Sequence, residues 1–247
     1  MTDAVSRIAQ AYPDRVEVRG ADLTSDLMGR MSFTEYAHLL LTGESPTDDQ
    51  RFFLDLLLVA IAEHGLMPSN LAARMTLAAD PTSLQAAVAA GILGAGPVVL
   101  GAAGECAKLL ASDEEPLEIA RRLQAAGERV PGFGHPLHKP LDPRAERILE
   151  LAGERGVGGR HVERARALHR AVAEAWGKPL PINVALPSAA VMLDLGYSVA
   201  AVRAVPILAR TAGLLAHLLE EEERPMGLML AAKAEEAVTY QPPAERL

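Results

Sequence analysis

The chain has 247 residues, 49% hydrophobic, 23% charged and only 4% aromatic, with a formal net charge of −8. That length can bury a core without disulfides or a structural metal, and the hydrophobic fraction excludes global disorder. The acidic balance excludes the basic surface that nucleic acid requires, and a single cysteine, Cys106, excludes an internal disulfide and fits a reducing cytoplasm.

Met1 to Arg7 lacks the apolar core of a secretion signal, so a cytoplasmic location is expected. Alanine and leucine abound, β-branched runs are short, and no Asn-Gly or Asp-Gly hairpin turn separates alternating stretches, which predicts an all-α fold. Asp48 to Glu63 reads as one helix, stopped by Gly65 and Pro68; Ser69 caps the next, Asn70 to Ala79. Thr82 or Ser83 starts a further helix. It runs into Ala86 to Gly104, an uncharged stretch long enough to raise the question of a membrane span. Its five glycines and Pro97 argue instead for two buried helices broken near Gly94 to Pro97. Helices are expected at 101–111 and 116–129, then a loop from Val130 to Leu141, and a helix over 143–153 capped by Asp142 with Pro143 at its first position. His161 to Trp176 is amphipathic, Lys178 to Pro187 irregular, and helices over 188–195 and 199–220 precede a tail expected to be mobile after Pro242.

The loop places His135, His138, Lys139 and Arg144 within ten residues of an acidic protein. Arg144 falls in the first turn of a helix, where the dipole disfavours a cation; an anion bound there would draw both the guanidinium and the free N–H groups. An ordinary surface loop and a His-x-x-His metal pair are the alternatives, the latter without a nearby acidic or cysteine ligand. Around Arg210, Leu208, Ala212, Leu215 and Leu219 form one apolar stripe, while the opposite face carries Gly213 and Leu214. A helix apolar all round is buried, so Arg210 needs an anionic partner, either a protein carboxylate or a substrate's. His64, at a helix end, is by itself a favourable partner for the last carbonyls. Cys106 reads as core, His161 and His169 as surface, and Glu220 to Glu223 as a solvated helix end.

Five segments in order resemble the citrate synthase family: Arg19-Gly-Ala-Asp-Leu with Phe33 to Thr47; His64 with Ser69 to Arg74; Gly132-Phe-Gly-His135 with Asp142-Pro-Arg144; Ala209-Arg210 to His217; and Arg224-Pro225. The resemblance implies a two-domain all-α homodimer, a large domain from 1–100 and 198–247, a small domain from 101–197, and a site between them. It implies that His64, His135, Arg144 and Arg210 hold the carboxylates and carbonyl of an oxaloacetate-like ligand, and that Arg224 reaches the partner subunit's site. Val130, Pro131, Gly132, Phe133, Gly134 and Lys139 would lie near coenzyme A, carried as an acyl thioester, with no metal.

The sequence departs from the family where acetyl-CoA would be enolised. Val99 stands where a catalytic histidine follows the Gly-Pro break, and Ala185 where the catalytic aspartate follows Asn-Val. A positioned acid or base contributes about 10²- to 10⁴-fold in rate. A short chain with an apolar residue for that histidine is similar to citryl-CoA lyases, which cleave citryl-CoA to acetyl-CoA and oxaloacetate, although that pattern keeps the aspartate. The expected function is therefore a CoA-dependent carbon–carbon lyase. His135, helped by His138, would serve the tertiary hydroxyl, and Ser188 or the N–H groups near Ala185 would meet the enolate. A condensing enzyme for an acyl-CoA and a 2-oxo acid, or a silent carboxylate- or CoA-binding homologue, are the alternatives.

Overall fold

The computed structural model describes residues 4–135 and 137–242; the tail after Pro242 lies outside them. Eleven α-helices dominate among the described residues, as the alanine- and leucine-rich pattern predicts. The N-terminal stretch departs from that pattern. Strands β1 (Ala9–Ala11), β2 (Val16–Val18) and β3 (Ala21–Asp22) form a small antiparallel sheet, followed by a π-helical turn, Leu23–Leu27. The β2–β3 turn is Arg19-Gly20, with both φ angles positive (52° and 84°). Arginine is an uncommon residue for that conformation, which is why no hairpin signature appears in the sequence. The Arg19 guanidinium is held by the carbonyls of Leu40 and Arg7.

The helices are α1 (Phe33–Thr42), α2 (Asp48–Ala62), α3 (Pro68–Ala79), α4 (Leu84–Val99), α5 (Ala102–Ala111), α6 (Pro116–Ala125), α7 (Pro143–Glu154), α8 (Arg160–Trp176), α9 (Ala185–Asp194), α10 (Val199–Glu223) and α11 (Gly227–Glu236). Two compact units divide them. One comprises the chain up to Ala60 with Gly101–Pro206; the other comprises Ile61–Leu100 and the chain from Ile207 on.

In the first unit α9 is the central helix, buried over Ala185 to Met192 and packed against α5, α7 and α8. Asp194 at its end accepts the backbone N–H groups of Gly159, His161 and Val162 and the ring of His161, so it caps α8. His161 is thus a structural contact rather than a surface residue, and His169, facing the Leu180 carbonyl, is half-buried as well. Cys106 is fully buried and burial pushes its thiol pKa up, as expected of a core residue.

In the second unit α3 packs on α4 and α11, and Ala73, Leu77, Ala87, Leu214 and Leu218 form its apolar core. Pro68 begins α3 instead of ending α2: it sits at the first helical position, where its missing N–H costs nothing. The expected break in the uncharged stretch falls at Gly96, whose backbone (φ 54°, ψ −168°) is not helical. One helix among the described residues, Val199–Glu223, has the length and apolarity to cross a membrane; 44% of its apolar window is buried inside the protein.

Candidate active site

In the first unit, the loop from Val130 is drawn against α5 and α9 by Gly132. A Cβ there would lie 2.7 Å from the Cys106 sulfur and 2.8 Å from Leu186 Cβ, and φ is +83°, so only glycine fits. The loop then runs antiparallel to the segment before α9. Asn183 donates its backbone N–H to the Gly132 carbonyl (2.8 Å) and its side-chain amide to Gly134, while Gly134 donates to the Pro181 carbonyl. The Phe133 amide goes to Val130. Two amides expected to lie near coenzyme A are thus already engaged, that of Phe133 within the loop and that of Gly134 on the segment before α9. Val130 is buried, Pro131 half-buried, and Gly134 and Lys139 are exposed.

His135 follows. Its Nδ1 accepts the backbone N–H groups of Leu137 (3.1 Å) and His138 (2.9 Å), so the neutral ring carries its proton on Nε2. Burial, then the neighbouring His138 ring, lowers its pKa below the ordinary 6.5, with Arg144 adding to the effect and Asp142 opposing it. The ring stacks on His138 with centroids 4.3 Å apart. His135 is therefore arranged as a neutral hydrogen-bond donor, a geometry for polarising a ketone or holding an alkoxide. It cannot also serve as the base for a hydroxyl without losing both amide contacts.

Arg144 has a protein carboxylate beside it. Asp142 caps α7 through the Arg144 N–H and takes Nε (3.0 Å) and Nη2 (2.8 Å) of the same guanidinium. Asp142 also accepts the Val184 N–H at the entrance to α9. Burial raises its carboxyl pKa, but the hydrogen bonds and charge of Arg144 outweigh that and hold it below the usual carboxylate value. The cation in the first turn is thus offset by its own capping aspartate, a partner two residues away that explains the pattern without an anion. Ser188 donates its hydroxyl to the Val184 carbonyl (2.6 Å), the back-bond usual for a helical serine. Ala185 lies buried at the first position of α9.

The second unit carries two of the expected binding residues, His64 and Arg210, beside one carboxylate, Glu63. Glycine at 213 brings α10 onto the C-terminal end of α2: a Cβ there would come within 2.0 Å of the Ala62 carbonyl oxygen. That approach sets Arg210 and His217, one turn to either side of Gly213, alongside Glu63. Glu63 Oε1 accepts the His64 backbone N–H (2.7 Å), His217 Nε2 (3.1 Å) and the Asn70 amide (3.2 Å), while Oε2 lies 4.0 Å from Arg210 Nη1. Burial raises the Glu63 pKa, but the hydrogen bonds from His217 and His64 prevail and lower it. His217 Nδ1 in turn accepts from Arg74. Arg74 is wholly buried and paired with Glu221 (2.9 Å) and Glu220. Glu221 closes the network by accepting the N–H groups of Met226 and Gly227.

Two expectations change here. The buried side of α10 is the one with Arg210, Leu214, His217, Leu218 and Glu221, while Leu215 and Leu219 of the apolar stripe face outward. The run Glu220 to Glu223 is not uniformly solvated, since Glu221 is buried against Arg74. Arg224 is exposed, one residue beyond α10. Sequence reasoning passed over Glu63, Arg74 and Glu221; the signal for them was an acidic residue at a helix end opposite an arginine and a histidine on an otherwise apolar helix.

Comparison with known proteins adds a family. The model described as citrate synthase, C-terminal domain, matches residues 51–228. A citrate synthase from Haloferax volcanii is 31% identical over 193 residues, covering 74% of this chain and 50% of that protein. The chain spans about half the length of the curated relatives it matches. Among solved structures, the citryl-CoA lyase from Hydrogenobacter thermophilus is 28% identical, with a TM-score of 0.87 over 99% of this chain and 96% of that one. ATP citrate lyase from Methanothrix soehngenii, in complex with citrate and coenzyme A, shares the fold: TM-score 0.81 at 19% identity, over 99% of this chain and 42% of that one.

Proposed function

Because the chain belongs to the citrate synthase family, with its all-α fold, we propose that it is a CoA-dependent carbon–carbon lyase that cleaves citryl-CoA, or a related 3-hydroxyacyl-CoA, to acetyl-CoA and oxaloacetate. The observation that carries this reading is the likeness to the Hydrogenobacter lyase over nearly the whole of both chains. Val99 supports it from the sequence, since an apolar residue stands where a condensing enzyme carries its first enolising group; Ala185 replaces the second, which the lyase pattern keeps.

Cleavage removes the proton of the C3 hydroxyl and breaks the C2–C3 bond. The bonding pair passes to the thioester as an enolate, C3 becomes the ketone of oxaloacetate, and a proton returns to C2. His135 Nε2–H donates to the C3 oxygen throughout, stabilising the alkoxide and then the ketone. His138, stacked on it, takes the hydroxyl proton. His64 and Arg210 hold the oxaloacetate carboxylates; Arg144, already offset by Asp142, adds a hydrogen-bonding edge rather than a full charge. Lys139 meets the phosphates of coenzyme A, Arg224 serves the partner subunit of a cytoplasmic homodimer, and no metal takes part.

Oxaloacetate release from citryl-CoA, followed by coupling to NADH oxidation, tests the reading against a His135→Ala control. Release above that control is expected; none would overturn it. A condensing enzyme is the second reading, favoured by the citrate synthase names of the sequence relatives. Rapid exchange of the acetyl-CoA methyl hydrogens with deuterated water would select it, because a condensing enzyme must enolise the thioester through groups other than those that Val99 and Ala185 replace, whereas a lyase without that acid/base pair exchanges slowly.

A further inference from the structure

Within the second unit, the residues expected to hold carboxylates are arranged around a carboxylate of the protein's own. Glu63 fixes the start of the His64 segment through its backbone amide and turns its second oxygen toward Arg210, whose side chain is only 4% exposed. Glu63 is itself half in solvent, with 45% of its side chain exposed, so burial alone does not immobilise it. Its orientation comes from His217. That ring has a single available tautomer, because the Arg74 guanidinium, which has donors and no acceptor, donates to Nδ1 and leaves the proton on Nε2, aimed at Glu63. Arg74 is anchored in turn by Glu221. The chain of contacts runs from a wholly buried cation to a half-exposed anion, and each link fixes the rotamer of the next.

We propose that Glu63 and His217 are positioning residues for carboxylate binding: His217 aims Glu63, and Glu63 holds the His64 backbone and Arg210 in the geometry that receives a 2-oxo dicarboxylate. This rests on the lyase reading for the identity of the ligand and extends it to two residues that touch neither the thioester nor the reacting carbons. Glu63 also sets the charge of the site. Arg210 next to a carboxylate retains less attraction for a single anionic group, so recognition favours a ligand that meets His64 and Arg210 together over a monocarboxylate that meets one.

The test is calorimetry of the full-length protein with oxaloacetate, with pyruvate and, separately, with coenzyme A, for wild type, Glu63→Gln, His217→Leu and His217→Gln. Positioning predicts that Glu63→Gln and His217→Leu weaken oxaloacetate binding by about 10- to 100-fold while the coenzyme A affinity stays within twofold. His217→Gln, which supplies both an acceptor for Arg74 and a donor for Glu63, should recover most of the loss. Selectivity for oxaloacetate over pyruvate should narrow in Glu63→Gln. An unchanged or tighter oxaloacetate affinity in Glu63→Gln overturns the proposal, and so does an equal loss of coenzyme A binding, which would mark a general structural role. If wild type itself binds no oxaloacetate, the lyase reading fails and this proposal falls with it, whereas wild-type binding with an unchanged Glu63→Gln affinity overturns this proposal alone.

Discussion

At the residue scale, His135 is the side chain with the most specific demand placed on it. Two backbone amides converge on Nδ1, and burial keeps the ring neutral. Protonating Nδ1 would turn an acceptor into a donor facing two donors. The proposed lyase activity should therefore hold as pH is lowered to 6.5 and fall only below it, since the folded pKa lies beneath the ordinary value; a pH profile of kcat/KM measures this. His135→Ala should lower kcat by about 10²- to 10⁴-fold, measured as oxaloacetate release at saturating thioester. His38 obeys the same electrostatics without touching the site. It is buried on α1, shares a 2.7 Å hydrogen bond with the Tyr197 hydroxyl, and its pKa is lowered by desolvation. Unfolded, it takes up a proton near pH 6.5 that the folded chain refuses, so its contribution to stability is whole above that pH and declines as pH falls through it. Comparing the acid dependence of the urea midpoint for wild type and His38→Gln isolates that contribution.

At the element scale, close approaches of helices decide where functional side chains sit. Gly213→Ala would drive a methyl group into the Ala62 carbonyl, an overpacking that costs about 1–3 kcal/mol or somewhat more. A lower thermal midpoint, with weakened oxaloacetate binding, is expected by scanning calorimetry and titration. Arg74→Met should cost more, about 3–5 kcal/mol, because it leaves Glu221 buried and uncompensated; denaturant titration measures it. Local chemistry made some of these elements legible in advance. Asp142-Pro143 announces α7, and glycine with proline announces the end of helical backbone near Gly96. Other elements were hidden because their signal is tertiary. The Arg19-Gly20 turn uses an arginine that only contacts with Leu40 and Arg7 explain. The orientation of α10 was read from its leucines, whereas the buried side is selected by Gly213 and by the pairing of Arg74 with Glu221. His135 and Arg210 stand out from sequence as odd charges in apolar or glycine-rich settings. Glu63 does not, because an acidic residue at a helix end looks ordinary until its neighbours are known.

At the scale of the whole molecule, exposed apolar residues remain after folding. In the second unit Leu93 is 81% exposed and Leu219 56%, with Leu66 and Leu215 also in solvent. Single exposed leucines need no explanation, but several on α4 and α10 fit the homodimer that the family resemblance implies. Leu93→Glu combined with Leu219→Glu should convert a dimer to a monomer in sedimentation velocity while leaving the circular dichroism of the helices unchanged.

The network centred on Arg74 also has a temporal meaning. Arg74 and Glu221 are 147 residues apart in the chain, and the second unit takes its first segment from before Gly101 and its second from after Pro206. While a ribosome is still making the middle of the protein, Arg74 has neither His217 nor Glu221 to receive it, and a buried cation without a counterion is not a stable state. Burial of the Arg74 side chain is therefore expected to wait until the segment carrying His217 and Glu221 has been made. The loop between them closes late and at the entropic cost of a long separation. The second unit, for which carboxylate binding is proposed, is thus the last part of the protein to become competent.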